Sequence, residues 1–422
     1  MRSARLARLA RPARVVVRGT ALVLLTGLLA GLGPAALPAS AQTLTQPPPA
    51  GCDNRLLPPP PVDTSEQPPP GVPSPAPLPV PATPAGGERM AECGLVLPSG
   101  APAPPRPDTA ASWMLQNLDT GQIIAAKDPH GRQRPASLIK TLLALVVIDE
   151  LDPDQVVVPT KEDANQECTC VGIVAGGRYT VDELLHALLM RSGNDVAHAL
   201  GTALGGVPVA VRKMNELAER LGAKDTRAAT PSGLDGPGMM TSAYDMSLVF
   251  GYAMRQPAYA EAVGTRHMVF PGGPGEPDYP VYNDNKLWGT FPGFLGGKTG
   301  FTDDARHTYA GAAERDGTRI GLVMLRAEQR PRPVSEQAQR LLDYGFALAA
   351  SGAQPVGRIT VPTGSPSEMA AAAPAEDGPE VAATSVEDPF GTTGWVVTLI
   401  VIVIVGVGLL VAHRRGLLQR PE

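Results

Sequence analysis

Prolines crowd the chain between Gln42 and Arg106, with runs at Pro47-Pro-Pro49, Pro58 to Pro61 and Pro68-Pro-Pro70. Proline lacks the N–H that helices and sheets need, so residues 42–105 read as a semi-rigid extended spacer and not as a folded domain. A second tract, 351–394, is rich in Ala, Pro and Ser. It carries Glu368, Glu376, Asp377, Glu380, Glu387 and Asp388, with no lysine or arginine between Arg358 and its end. Low hydrophobicity and one-signed charge leave such a tract unable to offset chain entropy by burial, so it reads as a stalk. The two tracts confine the expected folded part to 106–350, about 245 residues, enough for one large core or two abutting lobes.

The ends carry address signals. Six arginines (Arg2, Arg5, Arg8, Arg11, Arg14, Arg18) precede an apolar stretch from Ala21 to Leu32, and Ala39-Ser-Ala41 offers small residues for cleavage. Residues 1–41 therefore read as an export signal. Net charge is −5, and losing those six arginines takes it to −11, which argues against nucleic acid as a partner. At the other end, Val396 to Ala412 is an apolar run of 17 residues, preceded by Trp395 and followed by Arg414-Arg415. At 1.5 Å rise it spans about 26 Å, enough to cross a bilayer core. The expectation is a single transmembrane helix over 395–412, a cytoplasmic tail over 413–422 and the remainder outside the cell membrane.

Four cysteines in an exported chain suggest two disulfides, with three connectivities open. Cys52 and Cys93 both lie in the proline-rich segment, and Cys168 and Cys170 lie two apart in the core, so pairing within each segment is favoured. No histidine stands close in sequence to Cys168 and Cys170, and no metal or cofactor is expected.

Three short strings carry the chemistry: Ser137-Leu-Ile-Lys140, Ser192-Gly-Asn194 and Lys298-Thr-Gly300. Two of only seven lysines fall inside them, which makes a chance set improbable. Ser137 precedes an apolar stretch, Leu138 to Leu151, expected as a mostly buried helix. At its first turn, free N–H groups favour developing negative charge, and Lys140, three residues on, shares its face. Thr180-Val-Asp-Glu183 reads as a capping box opening a helix with an apolar face; Ser192-Gly-Asn194 then interrupts it, able to aim a hydroxyl and an amide into a cleft. Trp113 to Lys127 reads as a hairpin turning at Asp119-Thr-Gly121, and Thr308 to Glu314 with Thr318 to Arg326 as strands joined at Asp316-Gly317. Lys298-Thr-Gly300 sits at the edge of that β-pattern. There Gly296, Gly297 and Gly300 leave backbone uncovered, so a substrate can lie alongside as an added strand.

The ordered set is shared by penicillin-binding proteins and class A β-lactamases. Over 106–350 the chain resembles the serine D-alanyl-D-alanine carboxypeptidases, the low-molecular-weight penicillin-binding proteins. Thr230-Pro-Ser-Gly-Leu-Asp235, Thr241-Ser-Ala-Tyr-Asp245 and Asn283-Asp-Asn-Lys-Leu287 add to the likeness. Phe301 departs from it, standing where relatives often carry a polar residue. The resemblance implies an α/β fold of β-lactamase/transpeptidase type: a mixed, mainly antiparallel sheet flanked by helices, an all-helical lobe, and the site between them.

It implies Ser137 as nucleophile, Lys140 as its general base and Ser192 as proton relay. Asn194, Lys298, Thr299 and Gly300 would bind substrate, with an oxyanion hole from the backbone N–H groups of Ser137 and Phe301. The expected substrates are peptidoglycan stem peptides ending in D-Ala-D-Ala, with β-lactams as covalent inhibitors. A base at Lys140 must be largely neutral near pH 7, which calls for burial and a neighbouring positive charge such as Lys298. A class A-like β-lactamase is the alternative; its deacylating glutamate would be Glu216 or Glu219, both on an ordinary-looking amphipathic helix. A catalytically silent wall-binding protein is the other alternative.

Overall fold

The computed structural model describes residues 52–106 and 108–372. The expected export signal, 1–41, and membrane span, 395–412, lie outside the described residues. Among the described residues no helix is long and apolar enough to cross a membrane.

The chain enters the body as β1 (Leu95–Val96) and the hairpin β2 (Ser112–Asn117) and β3 (Gln122–Lys127). It then builds a helical lobe from α1 (Lys140–Glu150), α2 (Lys161–Ala164), α3 (Val181–Arg191), α4 (Asn194–Ala203), α5 (Val207–Leu221), α6 (Ala243–Ala253) and α7 (Pro257–Gly264). Two short ribbons decorate it, β4 (Val156–Val157) with β5 (Tyr179–Thr180), and β6 (His267–Phe270) with β7 (Tyr279–Tyr282). The chain returns through β8 (Phe294–Thr302), β9 (Arg306–Arg315) and β10 (Thr318–Ala327). It closes with α8 (Val334–Ala350), β11 (Gly357–Arg358) and α9 (Pro366–Ala372).

The sheet runs β1-β3-β2-β10-β9-β8, with β11 on β3, and its pairings among the described residues are antiparallel. Strand periodicity divides the core. On β2, Trp113 and Leu115 face the layer containing Leu341 and Leu342 of α8, while Met114 faces the helical lobe. On β10, Leu322 and Met324 join the α8 side, and Val323 and Leu325 the lobe side. The alternation is what buries both faces of the central strands. α1 is apolar nearly all round and buried from Lys140 to Val147, as expected of a helix enclosed by others.

The expected capping box forms at Thr180 and Glu183. The expected turn at Asp316-Gly317 joins β9 to β10. The disulfides are Cys52–Cys93 and Cys168–Cys170, with Cα separations of 5.2 and 4.7 Å.

The proline-rich segment differs from the expected spacer: its described part, 52–105, is fastened to the body. Arg132, fully buried, donates from its guanidinium to the carbonyls of Leu56 (2.9 Å), Leu78 (2.6 Å) and Pro79 (2.8 Å), and binds Asp225 at 3.0 Å. Arg134 donates to the carbonyl of Pro59 at 2.7 Å and pairs with Glu66. The proline-rich stretch offers carbonyl acceptors and few donors, and a guanidinium supplies five donors, so two arginines satisfy carbonyls there, while β1 at Leu95–Val96 joins the sheet.

The start of the acidic tract also differs from a free stalk. β11 pairs with β3, the Tyr252 hydroxyl donates to Gly364 O at 2.7 Å, and Ser367 on α9 donates to Asp149 at 2.9 Å.

Candidate active site

Ser137 lies in a 3-10 turn, Ala136–Ile139, that runs directly into α1. The turn is entered by Ala136 at φ 47°, a conformation rare for a side-chain-bearing residue. Two glycines permit it. A Cβ on Gly233 would stand 2.0 Å from Ala136 O, and one on Gly300 would stand 2.8 Å from Ser137 N. The nucleophile's turn is thus wedged between the 230–235 loop and β8, and the Thr308 hydroxyl holds it through Pro135 O at 2.9 Å.

Lys140 Nζ is the hub. It donates to Ser137 Oγ at 2.9 Å, to Asn194 Oδ1 at 2.7 Å and to Ser232 O at 2.5 Å. No carboxylate stands within ion-pair distance of it among the described residues. Burial, and then the charge of Lys298, hold its pKa well below the ordinary lysine value, against the weaker pull of Asp195 and Asp284. Lys298 is itself buried and brought down to about 8 by burial, with Asp284 opposing. Its ammonium donates to Thr299 O at 2.8 Å.

The interruption between α3 and α4 takes its shape from Ser192, held at φ 65° as the left-handed cap of α3. Asn194 is fixed at both ends of its amide, Oδ1 by Lys140 and Nδ2 by Glu167 O at 2.7 Å, and its backbone N–H binds Thr169 O at 2.7 Å. The Cys168–Cys170 bridge therefore lies in the loop that braces Asn194. Asp195 completes that brace by accepting from the N–H groups of Val171, Gly172 and Ile173.

Ser137, Ser192, Asn194, Thr299, Gly300 and Phe301 line one cleft, and Lys140 and Lys298 lie buried behind its surface. Its larger half, about 490 Å³, is lined by Ser137, Ser192, Thr299, Gly300 and Phe301 with Asp284 and His307; a second, about 290 Å³, meets Ser137 and Phe301 from the side of Asn194. β8 ends the sheet, as the expected edge. Phe301 is half exposed, its ring 4.5 Å from that of His307. Glu216 and Glu219 sit on α5 and line neither half.

Sequence reasoning left Ser232 and Asp284 without roles. Ser232 supplies a carbonyl to Lys140, and Asp284 accepts from the Thr299 hydroxyl at 3.3 Å. Both stand in strings already singled out for resemblance, but a backbone carbonyl and an outer carboxylate leave no signature of their own.

A hydroxyl touching a buried amine of lowered proton affinity, beside a fixed amide and a β-edge, can carry out acyl transfer. Comparison with known proteins agrees. Residues 100–329 match the D-alanyl-D-alanine carboxypeptidase family of serine peptidases (Peptidase_S11). D-alanyl-D-alanine carboxypeptidase DacB2 of Mycobacterium tuberculosis is 43% identical over 258 residues, covering 60% of this chain and 87% of that protein. DacF of Bacillus subtilis is 28% identical over 244 residues, covering 56% and 62%. A D-alanyl-D-alanine carboxypeptidase crystal structure from M. tuberculosis superposes with a TM-score of 0.58 at 41% identity, over 60% of this chain and 96% of that one. The Streptomyces K15 DD-transpeptidase, at 24% identity and TM-score 0.54 over 58% of this chain and 99% of that one, shares the fold.

Proposed function

This chain belongs to the D-alanyl-D-alanine carboxypeptidase family and is a serine carboxypeptidase of peptidoglycan peptides, and we propose how its residues divide that reaction. Ser137 Oγ attacks the carbonyl of the penultimate D-Ala while Lys140 takes its proton. The oxyanion forms against the backbone N–H groups of Ser137 and Phe301, a contribution of about 3–4 kcal/mol per donor in comparable sites. Ser192 passes the proton to the leaving D-Ala amine. Asn194 holds the donor amide, and Lys298, Thr299 and Gly300 anchor the terminal carboxylate. Water then hydrolyses the acyl-enzyme, and a β-lactam stops at that stage.

The observation that carries this reading is the 2.9 Å contact between Lys140 Nζ and Ser137 Oγ in a site where burial and Lys298 hold the lysine's pKa well below its ordinary value. The catalytic part works outside the cell. We assign it a tether, the apolar run Val396 to Ala412 closed by Arg414-Arg415, with residues 1–41 removed on export.

Intact mass after incubation with benzylpenicillin, alongside D-Ala release from a peptide ending in D-Ala-D-Ala, tests the assignment. The expected result is a persistent adduct on Ser137 and turnover that falls roughly 10⁶-fold in Ser137→Ala. Turnover retained in that variant, or an adduct elsewhere, overturns it; rapid loss of the drug without adduct makes the protein a β-lactamase.

A further inference from the structure

The smaller half of the cleft has a wall that the family's domain does not supply. Its lining runs from Asn194 and Thr169 through Asp235 to Asp303, and is closed by Asp63 and Ser65 of the proline-rich arm. The family match begins at residue 100, so this wall is an addition of the arm.

The wall is rigidly mounted. The Val62 N–H donates to Asp304 Oδ1 at 2.5 Å and the Ser65 hydroxyl to Asp304 Oδ2 at 3.4 Å. Behind them Arg134, with its side chain 2% exposed, grips Glu66 and Pro59 O. Asp63, by contrast, is exposed, and the Ser65 N–H at 2.8 Å holds its carboxyl below the usual range.

The direction of the substrate follows from the anchor. A peptide lying along the edge of β8 with its carboxylate at Lys298 and Thr299 puts the departing D-Ala in the larger half. Whatever precedes the scissile bond then passes Phe301 and enters the smaller half, in front of the arm. The charged residues lining that half are all acids, Asp63, Glu167, Asp235 and Asp303, the last 3.9 Å from Arg306.

We propose that the arm segment carrying Asp63 is a specificity-determining wall of the acyl-donor half of the cleft, selecting donor peptides with a cationic side chain upstream of the scissile bond. The inference rests on Lys298 and Thr299 being the carboxylate anchor. The geometry of the mount carries it, and the acids only set the sign of the preferred group.

Two probes differ in that charge and the acetyl group that removes it, so their ratio is read against Asp63→Asn: Nα-acetyl-L-lysyl-D-alanyl-D-alanine, and the same peptide acetylated on Nε as well. The full chain is expected to turn over the free-amine peptide about fivefold better by kcat/KM, mostly through KM. Asp63→Asn is expected to bring the ratio close to one and Asp63→Glu to restore it; Asp63 is exposed, so neither threatens folding. Glu66→Gln, which loosens the mount and leaves Asp63 in place, is expected to lower the ratio as well. A wild-type ratio of one, or a ratio that Asp63→Asn leaves unchanged, overturns the proposal. Failure of the wild type to release D-Ala from either peptide overturns the reading of the anchor on which it stands.

Discussion

Two sets of buried cations lie along the 130–140 stretch and its partners, and they are handled in opposite ways. Arg132 and His130 share one carboxylate, Asp225, at 3.0 and 2.7 Å. Burial disfavours the charged form of His130, but its hydrogen bond and charge interaction with Asp225 outweigh this and raise its pKa. Burial likewise pushes Asp225 up, and His130 with Arg132 reverses this and holds it low. Lys140 and Lys298 have no such carboxylate among the described residues, and both lose proton affinity. A buried cation with its own anion remains charged and fastens structure; one without holds its proton less tightly, which suits Lys140 to act as a base while Lys298 keeps its charge at neutral pH. The first set holds the proline-rich arm, and the second forms the reactive site.

Lys140→Met should break the second set alone. D-Ala release is expected to fall by about 10²- to 10⁴-fold, the usual range for a general base, with the fold retained because no ion pair is lost. Unfolding of that variant at room temperature would mean that Lys140 fastens structure too, and the contrast would fail.

Asp225→Asn should do the reverse. Removing that carboxylate leaves buried Arg132 without its ion pair and His130 with only Asp245 nearby, and is expected to cost about 3–5 kcal/mol, read as a shift in urea or thermal midpoint. A carboxyl with a lowered folded pKa contributes stability above its unfolded value and loses it as pH falls through the folded one. Acid sensitivity below about pH 4 should therefore weaken in the variant. Folded protein at low temperature should still take up benzylpenicillin, and loss of acylation without loss of fold would blur the two sets.

The smallest effect is a pH dependence. Lys298, at about 8, is protonated at neutral pH and gives up its charge above that value. KM for a peptide with a free terminal carboxylate should rise on the alkaline side of pH 8. The matching peptide amide, with no carboxylate to anchor, should lack that limb. Identical profiles would remove Lys298 from the anchoring role.

Much of this arrangement is legible along the chain. The Ser137–Lys140 spacing, the capping box at Thr180 and the hairpin turns all depend on residues within a few positions of one another. Even the low proton affinity of Lys140 is foreseeable, since a base requires it. Ser232 O and the Glu167 and Thr169 carbonyls are not, because backbone acceptors look alike in every sequence and only the fold selects among them.

The arm marks the boundary most clearly. Its prolines leave most of it with few N–H groups to offer a sheet, and among its described residues only the proline-free stretch at Leu95–Val96 pairs with β3. Whether its carbonyls then meet water or protein depends on donors far away in sequence. Arg132 and Arg134 stand 76 and 75 residues from the Leu56 and Pro59 carbonyls they bind. Local chemistry sets what each segment lacks, and only the tertiary structure brings the distant groups that supply it.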